Sequence, residues 1–248
     1  MFSEKIAIEP TSLVAQVVRQ NHHTADVFRK YGIEYCCGGN WPLETVCMTK
    51  GIEFGLLKKE LEHACRVVEL SSAVDYADWN TDFLVSYIIN VHHQFLKKSL
   101  PATGDIIREF AEGHKKQYPH MQEAAVLFDR LHTEMIPQLK YEEETIFPYI
   151  LQIAHAYENN DSYARLLVKT LRKPMQVIMR NEESALSSLI LKIRLLTDNY
   201  TIPPKACVSH GLSLSRLKDL DNDLMQHIYL ENEILLPRAL HIELELLK

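Results

Sequence analysis

The sequence predicts an all-α protein, with a small N-terminal helical unit followed by an up-and-down four-helix bundle. Three observations lead there. Glycine is scarce, with 8 in 248 residues. The prolines fall mostly near the ends of long segments rich in Leu, Ile, Glu, Lys and Ala, and no stretch shows convincing strand alternation. From about residue 80 onward there are four such segments, the number a bundle needs.

Each element has a local reason. Glu9-Pro10-Thr11-Ser12 is a helix start, after which Leu13, Val17 and Val18 give a short apolar face before His22 and His23. A second helix over 24–31 stops at Gly32. The run from Tyr31 to Gly39 that follows is a tight, glycine-permitted turn carrying Cys36 and Cys37. A third helix is expected over 43–50 and a fourth over 53–68. These make up an N-terminal unit of residues 1–70. Residues 71–80 read as a polar linker in which Asp75, Asp78 and Asn80 are turn or capping residues. The bundle then takes 81–248. Its first helix is expected over 81–100, ending at Pro101. The second, after Pro119, runs to about residue 157 with a kink or break at Pro137 and Pro148. The third spans about 162–196, with Pro174 inside it or between two pieces. The fourth runs from about 205 to 247 after a turn-rich connector.

Composition narrows the function classes. At 46% hydrophobic and 24% charged, the chain suits a globular protein with one sizeable core and a smaller unit. No run of eighteen apolar residues occurs, and MFSEKIAIEP lacks the basic head and apolar core of a secretory signal. A cytoplasmic address without a membrane partner is therefore expected. Five cysteines, an odd number with two adjacent, argue for reduced thiols rather than a disulfide framework. The net charge of -6 offers no basic footprint for nucleic acid. The oligomeric state stays open, a homodimer included.

The chemistry lies in polar residues that interrupt apolar stripes. Leu220, Leu224, His227, Glu231 and Leu235 share one helix face, so His227 and Glu231 are directed into a core. Burying each without a partner would cost roughly 2–7 kcal/mol. The pattern recurs: Gln138, Glu142 and Pro148 match His227, Glu231 and Pro237, each pair 89 residues apart. On the first bundle helix, Val85, Ile89, His93, Leu96 and Leu100 form a stripe interrupted by His93. On the third, Met175, Met179, Glu183, Leu186 and Ile190 form one interrupted by Glu183. A lone His such as His93 ordinarily reads as a satisfied core residue. Four helices each turning such a group inward at one depth read as a metal site. Imidazole with carboxylate suits iron, with zinc or manganese also accommodated, and two facing carboxylates are able to bridge two ions. Cys36 and Cys37 have two readings: small thiols filling a turn, or a redox or iron-handling pair. Adjacency disfavours a disulfide between them.

These residues resemble the repair of iron centres (RIC) family, which joins a short dicysteine domain to a hemerythrin-like di-iron bundle. The resemblance spans nearly the whole chain. It rests on Phe28-Arg29-Lys30-Tyr31-Gly32-Ile33 running into Cys36-Cys37-Gly38-Gly39, on the segment 142–148, on Pro203-Pro204-Lys205-Ala206-Cys207, and on the segment 223–240. It implies restoration of iron–sulfur clusters after nitric oxide or oxidant damage, with iron–sulfur proteins as clients and iron supplied from the bundle. It also implies ligands at His93, Glu142, His227 and Glu231. Two family histidines are replaced, one by Gln138 and the other by Glu183. A neutral amide is a weak iron ligand, so Gln138 is a marginal one, while Glu183 adds negative charge. Neighbouring His92 and His114 are candidates to compensate. A carboxylate-rich di-iron site and a one-metal site are both open at this stage. So are a metal-poor binding or regulatory module and a reversible oxygen or nitric oxide sensor.

Overall fold

The computed structural model describes residues 7–35, 39–65, 75–171 and 175–248, with side chains over those ranges except at 171 and 175–185. Apart from one isolated bridge between Leu13 and Pro42, every regular element among the described residues is helical. None of these helices is long and apolar enough to cross a membrane. The chain divides into two compact units, Met1–Ser72 with Tyr200–Leu217, and Ala73–Asn199 with Lys218–Lys248. The sequence suggested a linear division at 71–80, yet the connector and the start of the last long helix group with the N-terminal residues. Ile202, Val208 and Leu212 share an apolar-walled cavity there with Val18 and His22.

In the first unit, α1 (Val14–Gln20), α2 (Thr24–Lys30), α3 (Leu43–Lys50) and α4 (Phe54–Ala64) enclose Val14, Val17, Phe28, Leu43, Leu57 and Leu61. Gly32, at φ +61°, ends α2 in the left-handed conformation, and the Ile33 amide returns to the Phe28 carbonyl at 2.8 Å. Glu60 on α4 accepts from Lys30 Nζ at 2.8 Å and from the Tyr31 hydroxyl at 2.7 Å, tying α4 to the end of α2.

The second unit begins with two local caps. Asp75 accepts from the Ala77 amide at 3.0 Å over a 3₁₀ turn, and Asn80 accepts from the Phe83 amide at 2.8 Å to start α5 (Thr81–Tyr87). A π-helical turn, Ile88–His93, joins α5 to α6 (Gln94–Gly113). Thus the first bundle helix does not end at Pro101. Proline removes one donor, but Pro101 lies on the exposed face, while Leu96 and Leu100 before it and Ile107 and Phe110 beyond it keep the buried stripe continuous. Pro137 is likewise exposed and is carried inside α7 (His120–Tyr141). α7 passes through a second π turn, Glu142–Ile146, into α8 (Phe147–Glu158). The third segment is α9 (Ala164–Leu171) and α10 (Met175–Leu196), with Pro174 outside the described residues. The fourth is α11 (Val208–Tyr229), a third π turn, Leu230–Leu235, and α12 (Leu236–Leu247).

Packing follows the apolar stripes, with α6 on α7, α7 on α10 and α8 on α12. One end of the core holds Leu84, Val85, Ile88, Phe147, Ile150, Leu230 and Leu235. Elsewhere Leu96, Leu100, Phe128, Leu131 and Met135 are buried. Phe128→Ala should cost about 3–5 kcal/mol in urea unfolding, because a filled position becomes a cavity. Val126→Ala, on the exposed face of the same helix, should stay within about 0.5 kcal/mol.

Candidate metal centre

All three π turns among the described residues carry residues of one buried cluster. His93 ends the first, Glu142 opens the second and Glu231 is the second residue of the third, while His227 lies one turn before Glu231 on α11. The local causes are visible. Pro148 and Pro237 have no amide hydrogen, which frees the carbonyls of Glu144 and Glu233 and favours a widened turn just before each proline. In the first turn, Asn90 Nδ2 donates to the Ser86 carbonyl at 2.8 Å and competes with the helical ladder. The extra residue per turn shifts the register, so that the consecutive residues His92 and His93 are both buried. Ile88 becomes the fully buried neighbour, and Ile89 is only partly buried.

His93, Glu142, His227 and Glu231 are all buried, and each offers one donor atom within 4.8 Å of the other three. His93 Nε2 stands 3.1 Å from His227 Nε2, 3.4 Å from Glu142 Oε2 and 3.9 Å from Glu231 Oε1. His227 Nε2 stands 3.1 Å from Glu231 Oε1 and 3.9 Å from Glu142 Oε2. An ion with bonds of about 2.0–2.2 Å sets its adjacent donors about 3.0–3.5 Å apart, so these separations fit one shared cation. Glu231 Oε1 is buried without a well-formed hydrogen bond, as expected of an atom reserved for a metal. Burial alone would raise the pKa of Glu231. The imidazoles of His227 and His93 beside it outweigh that and hold its carboxyl well below the usual range. The pocket therefore demands positive charge.

A surrounding layer orients these donors. His93 Nδ1 donates to Glu143 Oε1 at 2.8 Å, which places the ring proton there and leaves Nε2 with its lone pair toward the cluster. Lys97 Nζ donates to both Glu143 oxygens at 2.7 Å. Burial opposes the charge on Glu143, but Lys97 and His93 prevail and keep its pKa low. His92 Nδ1 donates to Asp223 Oδ1 at 3.0 Å, and the His92 ring packs edge-on against Tyr87. Burial, with Tyr76 and Asp223 alongside, pushes the Tyr87 phenol up to about 12.

Of the residues marked out in the sequence, the structure thus brings four together. Gln138 stands beside them as a donor to Glu142 Oε1, at 3.0 Å. The backbone of Glu183 lies in α10, and its side chain is outside the described residues, as are Cys36 and Cys37. Neither neighbouring histidine joins the cluster. His92 turns Nδ1 to Asp223, and His114 stacks on Phe110 with Nδ1 against the Phe110 carbonyl at 3.1 Å. Glu143, Lys97 and Asp223 are additions. Asp223 lies four residues before His227, a spacing open to inspection. Glu143 beside Glu142 gave no such signal, since consecutive residues of a regular helix point about 100° apart.

Residues 84–239 match the family model described as the hemerythrin HHE cation binding domain, and residues 11–65 match a domain of unknown function, DUF542. The chain belongs to the hemerythrin-domain proteins of the repair of iron centres family. Among its RIC relatives, the iron-sulfur cluster repair protein ScdA of Staphylococcus epidermidis is 25% identical over 233 residues, covering 94% of this chain and 99% of the relative. The iron-sulfur cluster repair protein YtfE of Edwardsiella ictaluri is 29% identical over 218 residues, covering 86% and 90%. YtfE of Escherichia coli is 27% identical over 220 residues, with the same coverage.

Glu143→Gln should lower metal affinity about 10- to 100-fold, because His93 loses the carboxylate that fixes its tautomer. Competition with a chelator reads the loss, while far-UV dichroism should stay unchanged.

Proposed function

We propose that this protein binds iron through His93, Glu142, His227 and Glu231 and restores iron–sulfur clusters damaged by nitric oxide or oxidants, acting as the iron donor. The observation that carries the reading is the buried set of two imidazoles and two carboxylates, all within 4.8 Å of one another. Such donors suit iron, with zinc and manganese as competitors for the same set. The names of the RIC relatives, iron-sulfur cluster repair proteins, support the biological direction. The clients are iron–sulfur proteins, and the working compartment is the cytoplasm.

When bound, iron supplies an exchangeable ion and a redox centre. The protein's own residues do the rest. The Glu143 carboxylate keeps the His93 proton on Nδ1, the apolar bundle excludes bulk water, and Glu142 and Glu231 supply the negative charge that a cation neutralises. To Cys36 and Cys37 we assign the handling of iron in transit, as a thiol pair outside the bundle sequence.

The test is repair of an iron–sulfur dehydratase inactivated with nitric oxide. Iron-loaded protein should restore its activity. The His227→Ala/Glu231→Ala variant, loaded and desalted in the same way, should not. Equal repair by the metal-free protein would remove iron donation. In the same assay, Cys36→Ser/Cys37→Ser should slow repair while leaving the bundle's iron content unchanged.

A further inference from the structure

Glu143 is gripped twice from the first bundle helix, and we propose that the second grip, Lys97, sets how firmly the centre holds its metal. By neutralising the carboxylate behind His93, the Lys97 ammonium keeps that imidazole a weak enough donor for the ion to be given up. The proposal rests on the iron-binding reading above and adds a control on release to it. Lys97 is a positioning residue that acts through Glu143, and it is not itself a ligand.

The arrangement follows from spacing. His93 ends the first π turn and Lys97 lies four residues later on α6, so the two side chains share one side of the segment. Glu143, the second residue of the turn Glu142–Ile146, meets both. Its Oε1 accepts from His93 Nδ1 at 2.8 Å and from Lys97 Nζ at 2.7 Å, and its Oε2 accepts from the same Nζ at 2.7 Å. The oxygen that receives the imidazole proton is therefore shared with an ammonium.

Sharing changes the strength of the ligand. A carboxylate that accepts from the outer nitrogen of a metal-binding imidazole makes the inner nitrogen more basic. A cation seated on both oxygens draws electron density from that bond and cancels the carboxylate charge. Solvent screens the pair only in part, since Lys97 is 34% and Glu143 23% exposed, and His93 behind them is fully buried.

Charge points the same way. Glu142 and Glu231 already bring two negative groups to the cluster. A third, left unneutralised at Glu143, would bind the ion more tightly still and favour its ferric form. A protein that delivers iron is served by the looser hold.

Lys97→Met keeps the aliphatic stem and removes the charge. In the full-length chain loaded anaerobically with ferrous iron, it should hold iron about 10-fold more tightly against a competing chelator and should lower the ferric/ferrous midpoint potential. Lys97→Arg, whose guanidinium fits both carboxylate oxygens, should stay close to the native chain in both measurements. In a Glu143→Gln background, Lys97→Met should add nothing, because the route runs through that carboxylate. In the metal-free chain, the His93 Nδ1 proton should move downfield in the magnetic resonance spectrum of Lys97→Met as its bond to Glu143 strengthens.

Iron held equally or more weakly in Lys97→Met with dichroism intact, an unchanged potential, or a His93 proton that does not move would overturn the proposal. So would a Lys97→Arg chain that behaves like Lys97→Met. An equal effect of Lys97→Met in the Glu143→Gln background would overturn the route through Glu143. A native chain that takes up none of iron, zinc and manganese would sink the metal-binding reading itself and this control with it.

Discussion

Two carboxylates and two imidazoles closed inside an apolar bundle, 3.1–3.9 Å apart across the measured pairs, need a positive charge among them. That constraint shapes much of the second unit. It explains why a well-packed core of Phe147, Ile150, Leu230 and Leu235 has a polar centre, and why Glu231 is held ionised despite its burial. It also explains the second carboxylate behind His93, which sets the imidazole proton away from the cluster. Protons on the imidazoles meet the demand partly; a cation meets it for all four groups at once.

The three π turns are the backbone's contribution. A regular helix aligns residues three and four apart, so one inward position per turn is the norm. Widening the turn at Ile88–His93 buries His92 together with His93, so one segment supplies both a cluster donor and its outer neighbour. At Glu142–Ile146 the same device places Glu142 in the cluster while Glu143 reaches His93 from the side. Two of the three turns precede a proline, which makes the loosened ladder a local property of the sequence. A weakness in helical bonding has thus been placed where the donors converge.

Much of the fold was legible from periodicity. The expected range 43–50 coincides with α3, and the caps at Asp75 and Asn80 fall where their side chains suggested. The stripe Leu220, Leu224, His227, Glu231 and Leu235 is buried throughout. Pro101 misled, because proline as a helix stop is a statement about a lost donor. On an exposed face, with Leu100 and Phe110 anchoring both sides, that loss is tolerated. The stripe through Ile89 was displaced by one residue because a period of 3.6 takes no account of an inserted turn.

By itself the sequence determined the helical class, the paired His227/Glu231 and Gln138/Glu142 segments, and the residue types able to hold a metal. Those depend on patterns within a turn or two of the chain, or on an offset repeated along it. Only the tertiary structure decided which of them meet. His93 and Glu142 lie 49 residues apart, and Glu142 and His227 lie 85 apart, and no local rule measures a distance across a bundle. It decided as well that the Gln138 amide faces Glu142, since the identity of a side chain says what it is able to donate and packing alone says to whom.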